Sequence, residues 1–596
     1  MKTLLKNKFQ TLYFFYQYLG HRLFLLLGFS FFMVILDSLG IAMFMPLIQL
    51  SDADTNPGVN SDDKVNQYAY NFFTLFHLDF NPVNILIIII ILFAFKGICY
   101  YYASKYLAIN QQIFSKKIRA KMIEGVQDIS YKEFMNLNIG RLQNSLVGEA
   151  WQVVYACNQY LETIKNGMFV LIYLGFAYFL DWKFSILVTV GGLLSNFIYK
   201  YFYKETERLS RDITSNNHRY GGVVFEIVSH FKYLKATGRS KILFSRLQQE
   251  LSDLINSGIE VAGLTARLSA IREPITITII CAVITIHLVV FRSPLGAIMI
   301  ILLFFYRAMQ KIIDVQSNWN NYLSNIGSVE NVQEFQQYLD KNKEIFPGQL
   351  PLEEIGQIEL KDVSLNFGEE RVLKNINLRI RKNQTIAFVG ESGSGKTSLV
   401  NIISTLLPVS SGQILVNNQE INKFNNFDYK NKIGYITQDP TIFNGSVFDN
   451  ITFWAEKTRE NAEKFNLTIN LCGLSNFLNN LDDREDTLLG SNGINISGGQ
   501  KQRISIAREL FRDVEILIMD EATSALDSET EHIIKESIDS LRGKITIISI
   551  AHRLSTIKKS DRIYLMSGGK IIESGSFDEL KNKSKYFKKL TELQGI

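Results

Sequence analysis

Six long apolar stretches divide the first half of the chain, and the two longest polar stretches between them contain no proline apart from Pro274, directly before the fifth apolar stretch. A helix that crosses a membrane needs about 20 residues of mainly apolar character. The fifth stretch is short by this measure, so we expect its helix to extend N-terminally through Ile271, carrying Arg272 and Glu273. One such stretch is compatible with a buried helix of a soluble protein, whereas six in series favour a membrane domain. The predicted spans are Leu23 to Leu50, Val83 to Leu107, Leu161 to Leu180, Phe184 to Phe202, Ile275 to Val290 and Leu295 to Ala308.

The distribution of charge predicts the orientation of these spans. Cytoplasmic loops of membrane proteins carry an excess of Lys and Arg, and basic residues are concentrated after the second and the fourth span. The first loop is acidic, with Asp52, Asp54, Asp62 and Asp63, and we expect it outside. An even number of spans then returns the C-terminal half to the cytoplasm. The basic residues are Lys116, Lys117, Arg119, Lys121, Lys132 and Arg141 in one loop, and Lys204, Arg208, Arg211, Arg219, Lys232, Lys235 and Arg239 in the other.

The composition excludes several other classes of protein. The net charge of +5 mostly reflects the two basic loops, so it gives no reason to expect nucleic-acid binding. The four cysteines show no close spacing, which argues against a zinc site or a disulfide framework. The first apolar stretch begins late and is long, and we therefore expect no cleavable signal peptide.

The second half of the chain contains a phosphate-binding motif. The apolar run from Thr385 to Val389 reads as a buried strand, and Gly390 to Thr397 follows it as G-x-x-x-x-G-K-T. Its glycines let backbone N–H groups turn towards phosphates, Lys396 can reach the terminal phosphates, and the Thr397 hydroxyl can ligate Mg²⁺. The motif predicts binding of a nucleoside triphosphate.

Two carboxylates close a later apolar strand, Ile516 to Met519. Asp520 is placed to hold Mg²⁺, and Glu521 is the natural general base for the water that attacks the γ-phosphate. Alone, such a pair is more often a solvated strand end. Between the two motifs, Ile496 to Arg503 opens a helical stretch with a serine and two glycines, whose N–H groups form a second anion site.

The order of these motifs resembles the ATP-binding cassette (ABC) proteins from about Ile358 to the C-terminus. Ile496 to Gln500 is similar to the LSGGQ signature, with Ile in the Leu position. Gln438 resembles the Q-loop glutamine, and Ser524 to Asp527 resembles the D-loop. His552 lies where the family has its switch histidine, although a lone histidine after a strand is more often structural.

The resemblance implies roles for these positions, with ATP and Mg²⁺ as cofactors. It implies that Glu521, His552 and Gln438 are catalytic, and that Thr397, Gln438 and Asp520 serve the metal. Phe367 falls at the adenine-stacking position, where the family usually has Tyr, and stacking survives that change. The nucleotide-binding residues implied are Phe367, Gly390, Ser392, Gly393, Ser394, Gly395, Lys396, Thr397, Ser398, Ser497, Gly498, Gly499 and Gln500.

One segment departs from the family pattern. Thr487 to Gly493 resembles the cross-link loop of exporters, but Ser491 stands where an acidic residue is usual. The departure puts one salt link to the membrane domain in doubt and leaves the catalytic pattern untouched.

The whole chain resembles an exporter-type half-transporter. We predict a membrane α-helical six-span domain (residues 1–325), a linker (326–355) and an α/β P-loop NTPase domain, the ABC ATPase (356–596). Segments near Ile129 to Leu137 and Tyr220 to Ile227 lie where the family has its coupling helices. The resemblance implies a multi-pass protein of the bacterial cytoplasmic (inner) membrane with its ATPase domain in the cytoplasm. It also implies a homodimer, because the signature of one ATPase completes the site of another.

Charges inside the spans are the candidates for cargo recognition, because intramembrane charges are costly and usually functional. Asp37 lies in the first span, Lys96 in the second, and Arg272 enters the fifth; Arg307 and Lys311 follow the sixth. A cavity lined by Lys96, Arg272 and Arg307 suits an anionic head group. The alternative is that the residues near the interfaces extend their charges to water.

The membrane half resembles, more narrowly, bacterial flippases of lipid-linked oligosaccharides. The resemblance rests on the basic residues above, on Met45 to Ile48 and on the segment Lys64 to Leu78 after the first span. That segment has an aromatic face that can lie along the outer leaflet, or it is a loop helix packed on the first two spans. The resemblance to these flippases implies an anionic lipid-linked substrate. A multidrug, peptide or lipid A exporter of the same fold is the alternative, and six spans exclude a non-transporting ABC ATPase.

Overall fold

A computed structural model describes residues 2–51, 64–180, 182–290, 295–344, 346, 348–490, 493–520, 528–550 and 554–593. The chain divides into two compact units. One comprises Met1–Ile129 and Glu133–Lys343, and the other comprises Ser130–Lys132 and Glu344–Ile596.

Helices form the first unit. Five of the six predicted apolar stretches each lie within a single helix, and the first is divided between two. By length and composition, three helical stretches of the described residues can cross a membrane, namely Arg22–Leu47, Pro82–Asp128 and Ser240–Ile286. The helices are α1 (Lys2–Leu19), α2 (Arg22–Ala42), α3 (Phe44–Ser51), α4 (Lys64–Leu75), α5 (Pro82–Asp128), α6 (Tyr131–Asn136), α7 (Ile139–Asn144), a π-helical turn (Ser145–Glu149), α8 (Ala150–Leu180), α9 (Trp182–Ser229), α10 (Phe231–Ala236), α11 (Ser240–Val290), α12 (Leu295–Leu323) and α13 (Ile326–Lys341).

The first predicted span is not one continuous helix. Helix α2 ends at Ala42, and α3 begins at Phe44. Pro46 explains the break, because a proline ring clashes with the carbonyl four residues earlier and so disfavours continuation through Ala42. Proline is tolerated in the first turn of α3. By contrast, α11 runs continuously through Ile271 as predicted, with Pro274 inside it.

The second predicted coupling helix was placed wrongly. Tyr220 to Ile227 lies inside the long helix α9, and the separate short helix is α10, which follows His230. Gly221 and Gly222 do not break α9, and α7 crosses α9 closely at Gly140. A Cβ atom added to Gly140 of α7 would lie 2.7 Å from the Gly222 Cα. The first predicted coupling segment does contain a separate short helix, α6.

The largest core of the first unit joins α1, α5, α8 and α13. Phe15, Phe114, Val153, Val329 and Phe335 are fully buried there. Helix α13 occupies residues assigned from the sequence to a linker. Its buried positions recur at helical spacing, so one face of α13 packs into this core.

Strands and short helices form the second unit. The strands are β1 (Gln357–Phe367), β2 (Glu370–Arg381), β3 (Thr385–Gly390), β4 (Ser411–Val416), β5 (Gln419–Glu420), β6 (Ile433–Ile436), β7 (Ile516–Asp520), β8 (Thr546–Ile550), β9 (Arg562–Ser567) and β10 (Lys570–Gly575). The helices are α14 (Lys396–Ile403), α15 (Asn426–Asn431), α16 (Val447–Thr452), α17 (Arg459–Leu471), α18 (Ser475–Asn479), α19 (Gly498–Phe511), α20 (Ser528–Leu541), α21 (Leu554–Ile557), α22 (Phe577–Lys583) and α23 (Lys585–Leu593).

Two sheets give this unit its frame. One is antiparallel, in the order β2-β1-β4-β5, and the other has the order β10-β9-β3-β8-β7-β6. Strands β3, β6, β7, β8 and β9 run parallel in the second sheet. The central strands read as continuous apolar runs because helices cover both faces of such a sheet. Parallel strands end at one edge, and ligands of open α/β sheets bind at that edge.

Candidate nucleotide site

Two glycines allow the phosphate loop its path. Gly390 has φ +156°, and a Cβ atom there would lie 2.1 Å from the Met566 carbonyl oxygen. Gly395 has φ +95°, and a Cβ atom there would lie 2.7 Å from Leu373 Cδ2. Neither position has room for a side chain. The path of the loop therefore depends on glycine at these two positions, as the sequence motif requires.

Lys396 begins α14 and is buried, with 6% of its surface exposed. Its Nζ donates to the Gly390 carbonyl at 2.9 Å and to the Glu391 carbonyl at 2.8 Å, so the side chain lies across the loop it follows. Ser394 is buried as well, and its hydroxyl has no hydrogen-bond partner in the described part of the chain. A buried donor normally has a hydrogen-bond partner, and a phosphate oxygen would supply one here.

Asp520 reaches the same edge of the sheet as the phosphate loop. On either side of β8, Phe388 of β3 and Asp520 of β7 both pair with Ile550. Asp520 therefore lies level with a residue two positions before Gly390. Thr397 is exposed in the first turn of α14, at that edge. A hydroxyl and a carboxylate are hard oxygen ligands of the kind Mg²⁺ prefers, so the residues present fit this ion.

The signature helix α19 begins with a capping box. Ser497 Oγ accepts from the Gln500 backbone N–H at 3.3 Å, and Gln500 Oε1 accepts from the Ser497 N–H at 2.8 Å. The two bonds satisfy two of the donors that a helix start leaves unpaired. Ser497 and Gly498 are exposed, while Gly499 and Gln500 are half-buried. The helix start is therefore open to a further partner.

Two other implied residues lie at strand ends. Gln438 follows β6 by two residues and is exposed, beside a turn in which Thr437 Oγ1 donates to the Asp439 carbonyl at 2.7 Å. Phe367 ends β1 and keeps 36% of its surface exposed. The Lys132 Nζ lies 6.0 Å from the centre of its ring, and Lys132 belongs to the same compact unit.

Several sequence candidates lie outside the described residues. They are Glu521, His552, the D-loop segment and Ser491. In the sequence, Glu521 is the residue after β7, and His552 is the second residue after β8.

Arg508 is a residue that sequence reasoning missed. It is buried in α19, and its guanidinium donates to the Asn450 carbonyl at 2.6 Å, the Thr441 carbonyl at 2.9 Å and Asn450 Oδ1 at 3.0 Å. Burial lowers the pKa of Arg508 from its ordinary value. Arg508 thus ties the signature helix to α16 and to the segment after Gln438. Its only sequence signal is a basic residue amid the apolar positions of an amphipathic helix.

The basic residues of the membrane unit differ in their surroundings, although the sequence predicted that Lys96, Arg272 and Arg307 line one cavity together. Asp37 is 2% exposed and accepts from both Lys96 and the Tyr173 hydroxyl. The positive charge of Lys96 is therefore neutralised by the carboxylate of Asp37, which lies on a neighbouring helix. Arg272 lies near the Tyr199 hydroxyl, and its buried Nε has no hydrogen-bond partner in the described part of the chain. Arg307 is half-buried and, like Arg272, forms no ion pair with a carboxylate of the described residues.

Comparison with known proteins agrees with both units. The family model "ABC transporter" matches residues 373–524, and "ABC transporter transmembrane region" matches residues 20–313. A solved bacterial Atm1-family ABC exporter with ATP bound superposes with a TM-score of 0.80 at 17% identity, covering 97% of this chain and 100% of that one.

Relatives match along most of their length. The heterocyst differentiation ATP-binding protein HepA of Nostoc is 31% identical over 80% of this chain and 79% of its own. The ATP-dependent lipid A-core flippase of Burkholderia thailandensis is 28% identical over 83% of both chains. That of Francisella tularensis is 29% identical over 80% of this chain and 79% of its own.

A helical membrane unit joined to a P-loop ATPase unit defines an ATP-driven membrane transporter. The chain belongs to the ABC transporter family, as an exporter-type half-transporter whose ATPase unit couples ATP hydrolysis to transport.

Proposed function

We propose that this protein is a homodimeric flippase, which moves an anionic lipid-linked oligosaccharide or a similar anionic lipid across the bacterial cytoplasmic membrane. The proposal rests mainly on one observation, which is that the basic residues of the membrane unit differ in whether a carboxylate pairs with them. Lys96 is paired with Asp37, whereas Arg272 and Arg307 have no carboxylate partner among the described residues. The relatives named lipid A-core flippases support a lipid as cargo.

The two arginines suit a phosphate-bearing head group. An unpaired guanidinium in a low-dielectric setting is costly, and a phosphate or pyrophosphate offsets that cost through two parallel N–H···O bonds. Arg272 lies near Tyr199, and its Nε has no hydrogen-bond partner among the described residues. Lys96 contributes to holding α2, α5 and α8 together instead of binding the head group.

Helix α4 supports contact with a lipid tail. Ala69 and Phe73 are buried, and Phe73 packs against Ile85 and Ile89 of α5. A neighbouring face exposes a set of large apolar side chains at helical spacing, which suits the boundary of the outer leaflet. Packing against α5 accounts for the buried face, and contact with the outer leaflet is proposed for the exposed one. The exposed side chains are Tyr68, Phe72, Leu75 and Phe76.

ATP hydrolysis drives the change between inward and outward states. Lys396 and the loop N–H groups hold the phosphates, Phe367 stacks on adenine, and Gln438 and Glu521 orient the attacking water, with Glu521 as its base. His552 contacts the γ-phosphate. Thr397 and Asp520 would hold Mg²⁺, which would supply positive charge to offset the charge that develops on the phosphates.

A second copy of the chain completes each site. The exposed start of α19 offers N–H groups and the Ser497 hydroxyl to a phosphate, and the phosphate loop of a second copy brings that phosphate. Both sites of the homodimer are then identical and hydrolytic. Short helices α6 and α10 transmit closure of the ATPase dimer to the membrane helices.

The test measures ATPase activity of the full-length protein in nanodiscs with a polyprenyl-pyrophosphate-linked oligosaccharide. We expect stimulation in the wild type and its loss in Arg272→Gln. Arg267→Gln is the matched control, because Arg267 lies on the same helix and is exposed, and it should keep the stimulation. Stimulation by lipid A, by drugs or by peptides, without any response to the oligosaccharide lipid, would move the assignment to another exporter of this fold.

A further inference from the structure

Tyr586, a half-buried residue near the start of α23, reaches the phosphate loop. Its hydroxyl donates to Glu391 Oε1 at 3.2 Å. Glu391 is the second residue of the G-x-x-x-x-G-K-T motif, directly after Gly390, and it is exposed. The hydrogen bond therefore joins the C-terminal helix to the one acidic side chain of the motif.

The position of α23 is fixed by packing and by a hydrogen bond at its start. Phe587 is fully buried, and its ring lies edge-to-face with that of Phe577, with 5.4 Å between the ring centres. Both rings belong to a buried cluster that includes Val389 of β3, the strand that leads into the phosphate loop. Ser584 Oγ accepts from the Phe587 backbone N–H at 3.1 Å. Because Tyr586 directly precedes Phe587, its backbone is held at a fixed place beside the loop.

The main chain of Glu391 is part of the phosphate-binding turn. Its carbonyl oxygen accepts from Lys396 Nζ at 2.8 Å and from the Ser394 backbone N–H at 3.2 Å. The Glu391 carboxylate thus branches from a residue that shapes the loop. A carboxylate close to bound phosphates repels them, because both carry negative charge. The binding of ATP therefore depends on where this carboxylate is held.

We propose that Tyr586 is a positioning residue for ATP, whose hydroxyl holds the Glu391 carboxylate against α23 and so keeps its negative charge from the phosphates. A hydrogen bond to an ionised acceptor is stronger than one between neutral groups, so a single phenol suffices to favour this orientation. Tyr586 acts through Glu391 and not by contact with the nucleotide. The inference rests on the phosphate loop as the site of ATP, which is part of the proposed function.

The test is Tyr586→Phe, which removes the hydroxyl and keeps the ring. Binding of a fluorescent, non-hydrolysable ATP analogue with Mg²⁺ is measured on the full-length protein. We expect the Kd to rise about 3- to 10-fold, as for the loss of one hydrogen bond, with an unchanged melting temperature in the absence of nucleotide.

Glu391→Gln distinguishes positioning of a charge from a packing role. It removes the negative charge, so adding Tyr586→Phe to Glu391→Gln should leave the Kd of the Glu391→Gln protein unchanged. A packing role for the Tyr586 hydroxyl predicts instead that Tyr586→Phe raises the Kd by the same factor in both backgrounds. That result would overturn the inference.

Tyr564→Phe is the matched control, because Tyr564 lies in the same unit and its hydroxyl donates to the Arg379 carbonyl at the same distance of 3.2 Å. It should leave the Kd unchanged, and an equal rise in this variant would overturn the inference. Lys396→Met separates the two levels of the argument. If Lys396→Met weakens binding and Tyr586→Phe does not, the positioning role is wrong and the ATP site stands; if Lys396→Met has no effect, both are wrong.

Discussion

The buried ion pair of the membrane unit yields the sharpest stability prediction. Asp37 of α2 is 2% exposed and accepts from Lys96 of α5 and Tyr173 of α8. Asp37→Asn keeps the size of the side chain and removes its charge. Lys96 then loses its counter-ion, and the tie between three helices weakens.

The magnitude follows from the burial of the two partners. Breaking a fully buried pair by removing one charge costs about 3–5 kcal/mol. The Lys96 side chain keeps 26% of its surface exposed, so we reduce the expected cost to roughly 2–4 kcal/mol. At about 2 °C per kcal/mol for a large domain, the melting temperature should fall by roughly 4–8 °C.

Thermal unfolding of the full-length protein in detergent, followed by size-exclusion chromatography after heating, measures this change. Lys96→Met alone should also destabilise, and the double variant should recover part of the loss, because no uncompensated charge then remains. Asp314→Asn is the control, since the Lys311–Asp314 pair lies within one helix and is partly exposed. Additive losses in the double variant, or an equal loss in the control, would refute the reasoning.

Two further predictions concern the ATPase unit. Arg508→Met should destabilise the protein by about 2–4 kcal/mol, because it leaves the carbonyls of Asn450 and Thr441 without their donor; Arg512→Met, at a more exposed position, is the control for thermal unfolding, and similar melting temperatures for the two variants would contradict the assignment. Burial raises the pKa of the Cys472 thiol to about 12. In a variant with Cys472 as sole cysteine, maleimide labelling should therefore stay negligible at pH 7–9 and become fast on unfolding; rapid labelling of the folded protein at pH 8 would exclude this environment.

Local motifs explain what the sequence predicted well. The strand before Gly390 and the strand ending at Asp520 are short apolar runs closed by special residues, so their form and their shared edge follow from nearby residues. Helix α11 also followed from local apolar character, despite Pro274. Each of these predictions could be made from one short segment of the sequence, together with a general rule about where strands end or membrane spans begin.

The features that the sequence did not predict depend on contacts between segments far apart in the chain. Lys96 read as a free cation because nothing local places Asp37 of another helix against it. The close crossing of α7 and α9 at Gly140 and Gly222 joins segments 82 residues apart, and no local pattern marks it. The pairing of Tyr435 of β6 with Ile518 of β7 is likewise a contact between distant segments, which a single sequence does not specify.

Transport of the lipid itself is the most direct test of the central claim. The full-length protein is reconstituted in proteoliposomes with a fluorescent polyprenyl-pyrophosphate-linked oligosaccharide, and a membrane-impermeant quencher reports the leaflet that holds it. The account predicts that ATP with Mg²⁺ changes this accessibility in the wild type and that Glu521→Gln, which lacks the proposed base, abolishes the change. Equal accessibility with and without ATP in the wild type, or full transport by Glu521→Gln, would contradict the account.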